Sequence, residues 1–172
     1  MSASFTARHV RVQASQGFSE TISALERLLG KLEPSTLSAA FSGGGTAEEV
    51  RARLEAAIGP SGFAVFGTVD HGALLTAFGK RRNAVQYVFG NPLIAFRMTS
   101  SDSRAGLYVP LRLLIHEENG TTFVEYDEPS SLLRQLGDPE IDEVASMLDA
   151  KVSALVAIVI EGPRSEATEC RA

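Results

Sequence analysis

His71 is the side chain best suited to acid–base chemistry near neutral pH. Histidine is the residue type most often used for proton transfer at such pH, and Asp70 directly precedes His71. Arg112 and Tyr126 supply a guanidinium and a phenol, and such groups can hold an anion. One hypothesis is therefore an enzyme in which His71 acts as acid or base while Arg112 or Tyr126 holds an anionic substrate.

Two of the polar candidates also have a purely structural interpretation. Asp70 and Asn91 each stand where a helix is predicted to begin, and short polar side chains accept hydrogen bonds from free N–H groups there. Pro92 suits a first helical turn, where no N–H is needed. Because neighbouring residues on a helix point apart, Asp70 is poorly placed to orient the His71 ring.

Arg112 has two interpretations as well. Strand alternation separates it from Leu111 and Leu113 and places it on a face with Tyr108 and His116. That mixed face is either a solvated or interface surface, or a site of anion recognition.

No motif for a metal, a cofactor or a catalytic nucleophile is visible in the sequence. His9, His71 and His116 lack the close spacing of a metal-binding pair, and Cys170 is the single cysteine. The glycines at 43–45 lack the lysine of a phosphate-binding loop and are interpreted as a flexible connection. The sequence therefore predicts neither a metal nor a cofactor.

Hydrophobic periodicity and capping residues place these side chains on alternating helices and strands. A helix is predicted over 18–32, and a capping box of Thr46 and Glu49 opens a second. Asp138 and Pro139 open a long last helix. Strands are predicted over 9–13, 62–69, 83–89, 107–117 and 121–126.

These elements predict an α+β fold, in which helices pack mainly on one face of an antiparallel sheet. Residues 1–163 are expected to form a single domain, followed by a disordered tail over 164–172. Asn119 and Gly120 mark a hairpin turn. Pro110 removes a ladder N–H, so its strand is expected to be an edge strand or to carry a bulge.

The composition is that of a globular protein with an acidic surface. The 172 residues carry a net charge of −5, which disfavours binding to phosphate backbones. Residues 1–13 lack the apolar segment of a signal peptide, and the apolar run 154–160 is too short to cross a bilayer. We therefore predict a cytoplasmic protein that binds neither nucleic acid nor membrane.

The stretch from Phe63 to about Leu136 resembles the domain-of-unknown-function 302 family. The resemblance rests on a combination of short motifs: Gly62-Phe63, Asp70-His71, Phe89-Gly90-Asn91-Pro92, Pro110-Leu111-Arg112, and Tyr126 with Pro129. It implies a small α+β homodimer with a family-like core over 46–136, to which this chain adds an N-terminal extension. It implies no reaction, because the family has no generally assigned activity.

The chain departs from the family pattern in a way that makes the site more apolar. Many members have a lysine and a Gly-Thr pair after Asn-Pro, whereas this chain has Leu93-Ile94-Ala95-Phe96. Leu111 stands where some members carry a cysteine, which removes any thiol chemistry. The leading prediction is therefore a non-enzymatic homodimer that binds a small apolar or anionic molecule, or a partner. Its candidate binding residues are Asp70, His71, Asn91, Arg112 and Tyr126.

Overall fold

A computed structural model describes residues 4–32, 35, 38, 42 and 45–162 of the chain. The predicted flexible glycines Gly43 and Gly44 and the predicted tail 164–172 lie outside these residues. Among the described helices, none combines the length and the apolar character that a membrane crossing requires.

The described residues form one mixed β-sheet flanked by helices. Its strands are β1 His9–Gln13, β2 Gly30–Lys31, β3 Ala64–Asp70, β4 Ala84–Gly90, β5 Leu111–Glu118 and β6 Thr121–Asp127. Their spatial order is β1-β6-β5-β4-β3-β2. Neighbouring strands are antiparallel except β2 and β3, which are parallel.

The helices are gathered on one face of this sheet. They are α1 Phe18–Leu28, α2 Ala47–Ala56, α3 His71–Ala77, α4 Pro92–Ser101, α5 Pro129–Leu133 and α6 Pro139–Glu161, with 3-10 turns at Ser103–Leu107 and Arg134–Leu136. Along β5, Leu111, Leu113 and Ile115 are buried under the helices, whereas Arg112 is exposed on the opposite face. The predicted α+β fold class is thereby confirmed.

The long helix α6 contributes most of the helical side of the core. Asp138 Oδ1 accepts hydrogen bonds from the N–H groups of Glu140 and Ile141, which starts the helix as predicted. Its buried residues recur at helical spacing and are Ile141, Val144, Ala145, Leu148, Val152, Leu155, Val156 and Val159. Full burial of one such large aliphatic side chain contributes about 1.5–3 kcal/mol.

The first helix is shorter than its apolar pattern predicts. It ends at Leu28, and residues 30–32 run beside β3, where Gly30 and Leu32 donate hydrogen bonds to the carbonyls of Phe63 and Val65, both at 2.9 Å. A Cβ at Gly30 would lie 1.9 Å from the carbonyl oxygen of Ala57, so only glycine permits this approach. The prediction of one helix through residue 32 was wrong because this pairing partner is distant in sequence.

The region before Pro110 also differs from the prediction. Residues 107–110 were expected to begin a strand, but Ser103–Leu107 forms a 3-10 turn that Asp102 caps, and Leu107 is 80% exposed. The strand starts at Leu111, after a cis Val109-Pro110 peptide, and lies between β4 and β6. Pro110 therefore lies outside the hydrogen-bonded ladder, and the expected edge strand or bulge is not found there.

Candidate functional site

His71 lies at the start of α3, on the surface. Asp70 caps this helix, since its Oδ1 accepts a hydrogen bond from the N–H of Ala73 at 2.8 Å. His71 is exposed. Asp70 therefore has the capping role that its position predicts, and its carboxylate is directed to the backbone.

Arg112 and Tyr126 lie on opposite faces of the sheet. Tyr126 is paired with Leu113, which points into the core, and is half-buried. Burial raises the pKa of Tyr126, and the nearby carboxylates of Glu128 and Asp149 raise it further. Arg112, one residue earlier on β5, projects from the uncovered face.

His71, the candidate acid or base, is also distant from Arg112, as the position of its neighbour Asp70 shows. Asp70 is opposite Val85 on β4, whereas Arg112 is opposite Val88. Two strand spacings and three residues along a strand separate the two Cα positions by about 14 Å. His71, Arg112 and Tyr126 therefore do not meet around one cavity.

Asn91 has a structural role that uses both the oxygen and the nitrogen of its side-chain amide. Its Oδ1 accepts from the N–H groups of Leu93 at 2.9 Å and Ile94 at 3.3 Å, which caps α4. Its Nδ2 donates to the carbonyl of Gly62 at 3.0 Å, which joins α4 to the start of β3. Of the five candidate residues, Asn91 alone lines an apolar cavity between α2 and α4.

This cavity, the α2–α4 cavity, has a volume of about 550 Å³. Helices α2 and α4 form its sides, and Phe66, Pro110 and Leu148 close it further. Its walls are predominantly apolar: Ala47, Val50, Leu54, Phe66, Gly90, Pro92, Leu93, Ile94, Ala95, Phe96, Met98, Val109, Pro110, Leu111 and Leu148, with Arg51, Asn91 and Thr99. The cavity therefore offers an apolar surface to a guest molecule.

The cavity exists because two hydrophobic clusters meet there without merging. Ile94, Met98 and Leu148 belong to the main core between the sheet and α6. Leu54 and Phe66 belong to a smaller cluster under α2. A β-bulge between Val65 and Gly67 in β3 lies beside the second cluster.

The polar groups at the cavity differ in how far they are already engaged. Asn91 is occupied as described above, and the hydroxyl of Thr99 donates to the carbonyl of Ala95 at 2.9 Å. Arg51 is the single charged residue in the cavity wall that the structure describes. The sequence indicated the apolar run after Asn91, but the participation of Leu54, Phe66 and Leu148 depends on tertiary packing.

A second polar group of residues, on the uncovered face of the sheet, was missed from the sequence. Glu125 accepts hydrogen bonds from His116 Nε2 at 2.7 Å and His9 Nε2 at 2.8 Å, and Arg11 Nε lies 3.2 Å from it. Burial raises the pKa of Glu125, but the bonds from His116 and His9 outweigh this and lower it overall. The alternation of His9 and Arg11 in the sequence indicates that both lie on one face of a strand. The sequence does not indicate that this strand pairs with the strand that carries Glu125.

His9 in this group contacts a carboxylate through each ring nitrogen, which favours its protonated form. Its Nδ1 contacts Asp127 at 3.1 Å and its Nε2 contacts Glu125, so both ring nitrogens donate to carboxylates. Those hydrogen bonds, first to Asp127 and then to Glu125, raise the pKa of His9. These contacts tie β1 to β6 and β5 electrostatically.

Within the described residues, no cluster of His, Cys, Asp or Glu is suited to holding a metal ion.

Comparison with known proteins gives a family and a fold. The family model described as domain of unknown function DUF302 matches residues 41–159. No curated protein matches the chain. An uncharacterised conserved DUF302 protein from Bacillus stearothermophilus has a similar crystal structure, with a TM-score of 0.62 and 24% sequence identity. The match covers 88% of this chain and 97% of that one and, at this identity, supports the fold alone.

Proposed function

This chain belongs to the DUF302 family, and we propose that it binds a small, largely apolar molecule in the α2–α4 cavity without transforming it. The observation that supports the proposal is the cavity itself. Its volume of about 550 Å³ lies within the range of about 300–1,000 Å³ that is typical of ligand pockets.

The lining favours an apolar guest for a physical reason. Protein interiors are close-packed, and an apolar cavity has too few polar partners to hold ordered water well. Each methylene that a ligand moves from water into such a cavity contributes about 0.8 kcal/mol. A tail of six to eight methylenes therefore gains about 5–6 kcal/mol, part of which is lost to the entropy of association.

The acid–base hypothesis for His71 gains no support from the geometry. The Cα atom of Arg112 is about 14 Å from that of Asp70, and Tyr126 is one strand further away, on β6. The cavity, in contrast, brings Asn91 together with the apolar residues that follow it.

Filling the cavity should abolish binding. Ala95 lines it and lies on α4, so a tryptophan there would occupy the volume that the ligand needs. We expect Ala95→Trp to weaken binding of the neutral dye N-phenyl-1-naphthylamine by at least tenfold, measured as the rise in dye fluorescence.

The matched control is Ala150→Trp, because Ala150 is also in a helix but is exposed on α6, away from the cavity. We expect this variant to bind the dye like the wild type. Equal binding by Ala95→Trp, or the absence of dye binding by the wild type, would contradict the proposal.

We further propose that the protein forms a homodimer through the free edge of β3. Strand β2 pairs with β3 only at Ala64 and Val65. Residues 67–70 therefore pair with β4 on one side and have no partner strand on the other side in the described part of the chain. Beside this edge, Val69, Leu74 and Phe78 are 46%, 59% and 78% exposed. An antiparallel edge is complementary to a second copy of itself across a two-fold axis, which such apolar residues would stabilise.

The oligomeric state tests this second proposal. We expect light scattering to give the mass of a dimer for the wild type and of a monomer for the double variant Leu74→Glu/Phe78→Glu, because four charges would be buried at the interface. Leu107→Glu is the control, since Leu107 is 80% exposed at a different site. A monomeric wild type, or a dimeric double variant, would refute the β3 interface.

A further inference from the structure

We propose that the ligand of the α2–α4 cavity is an amphipathic monoanion, whose carboxylate or similar head group is bound by Arg51 at the cavity rim. This inference rests on the proposed function and specifies the chemical class of the ligand. The apolar walls would contact its tail, and a single cation would bind its head group.

Arg51 is placed where the head group of such a ligand would emerge. It follows Val50 on α2 and precedes Leu54 by one helical turn, and all three residues line the cavity. Its side chain is 61% exposed, so the guanidinium reaches the solvent while its stem covers apolar surface. A ligand with its tail among Leu93, Ile94 and their neighbours would therefore have its polar end near a positive charge.

The guanidinium of Arg51 is also available for binding. Its one ion pair in the described residues is with Glu55, at 4.0 Å and with both side chains more than half exposed. Such a pair contributes little and is readily exchanged. Arg104 differs, because its Nη2 lies 2.6 Å from Asp102. A free guanidinium can bind a carboxylate with two parallel hydrogen bonds.

The acidic residues near Arg51 do not remove this positive site. Glu49 is engaged in the capping box, where its Oε2 accepts from the N–H of Thr46 at 2.8 Å. Glu48 is in the first turn of α2, three residues before Arg51, so the two residues lie on the same side of the helix. Glu48 is therefore a competing negative charge besides Glu55. One anionic head would replace the weak contact with Glu55, whereas a second negative charge would be repelled by both carboxylates.

The test compares decanoate with 1-decanol, which share a ten-carbon chain and differ in charge. Each is titrated against bound N-phenyl-1-naphthylamine, a neutral probe whose own binding does not require Arg51. For the wild type we expect decanoate to displace the dye at a concentration at least fivefold lower than 1-decanol. For Arg51→Gln we expect this preference to disappear through weaker decanoate binding, with 1-decanol unchanged.

Two further variants separate head-group recognition from general effects. Arg53→Gln removes a charge from the same helix at a position that does not line the cavity, and should keep the preference for decanoate. Arg51→Lys keeps the charge but loses the two parallel hydrogen bonds, and should keep part of it. Increasing the salt concentration should weaken decanoate binding selectively.

The outcomes distinguish this inference from the function on which it rests. If both ten-carbon compounds bind equally well, or if Arg51→Gln keeps the preference, Arg51 does not select the head group and the inference fails, while the cavity remains a binding site. If the dye binds but neither compound displaces it, the inference alone fails. If the dye itself does not bind, both the inference and the proposed function fail.

Discussion

Replacing Phe89 by alanine should lower the free energy of unfolding by about 3–5 kcal/mol. Phe89 lies in β4, is 1% exposed, and is paired with Leu111 on one side and Val65 on the other. Its ring meets that of Phe63 edge to face, with centroids 5.4 Å apart. The substitution removes buried apolar area, leaves a void and breaks this aromatic contact.

Equilibrium unfolding in urea at a fixed protein concentration measures this loss. The control is Phe96→Ala, since Phe96 is 63% exposed and its removal should cost about 0.5 kcal/mol. Phe89→Leu keeps most of the volume and should cost less than about 2 kcal/mol. Similar losses for Phe89→Ala and Phe96→Ala would show that the sheet does not pack as described.

Replacing Asn91 by alanine should lower the free energy of unfolding by about 2 kcal/mol, although its side chain is small and polar. Loss of the cap of α4 accounts for about 1 kcal/mol. Loss of the bond from Nδ2 to the carbonyl of Gly62 adds a similar amount, because that carbonyl loses its side-chain donor in a partly buried place. The residue links the cavity wall to β3, so its loss should also loosen the cavity.

Two variants divide this effect into its parts. Asn91→Asp keeps an acceptor for the helix N–H groups but loses the donor to Gly62, and we expect a loss of about 1–2 kcal/mol. Asp70→Ala removes a cap that has no such second bond, and should cost about 1 kcal/mol. If Asn91→Ala is no more destabilising than Asp70→Ala, the bond to Gly62 has no measurable role.

The helix caps illustrate which features could be predicted from the local sequence. Thr46, Asp70, Asn91 and Asp138 each begin a helix as expected, and each accepts hydrogen bonds from N–H groups two or three residues ahead. A cap involves neighbours in the chain and little else. Its chemistry is therefore visible in four consecutive residues.

The hairpin is a second feature of this kind. Asn119 and Gly120 have φ values of 52° and 78°, as a tight turn between β5 and β6 requires. The strand expected from residue 107 is the opposite case. Leu107 and Val109 continue the alternation of β5 in sequence, but alternation does not report where backbone pairing begins.

The candidate site also combines features that are local in sequence with features that depend on tertiary packing. By itself the sequence determined the α+β class, the helix starts, the hairpin and the apolar character of the residues after Asn91, because each depends on local geometry or on periodicity. Only the tertiary structure placed Arg112 and Tyr126 on opposite faces, since strand register controls which groups meet. It also opened the cavity beside Arg51, because a cavity depends on how α2 and α4 pack against the sheet from distant parts of the chain.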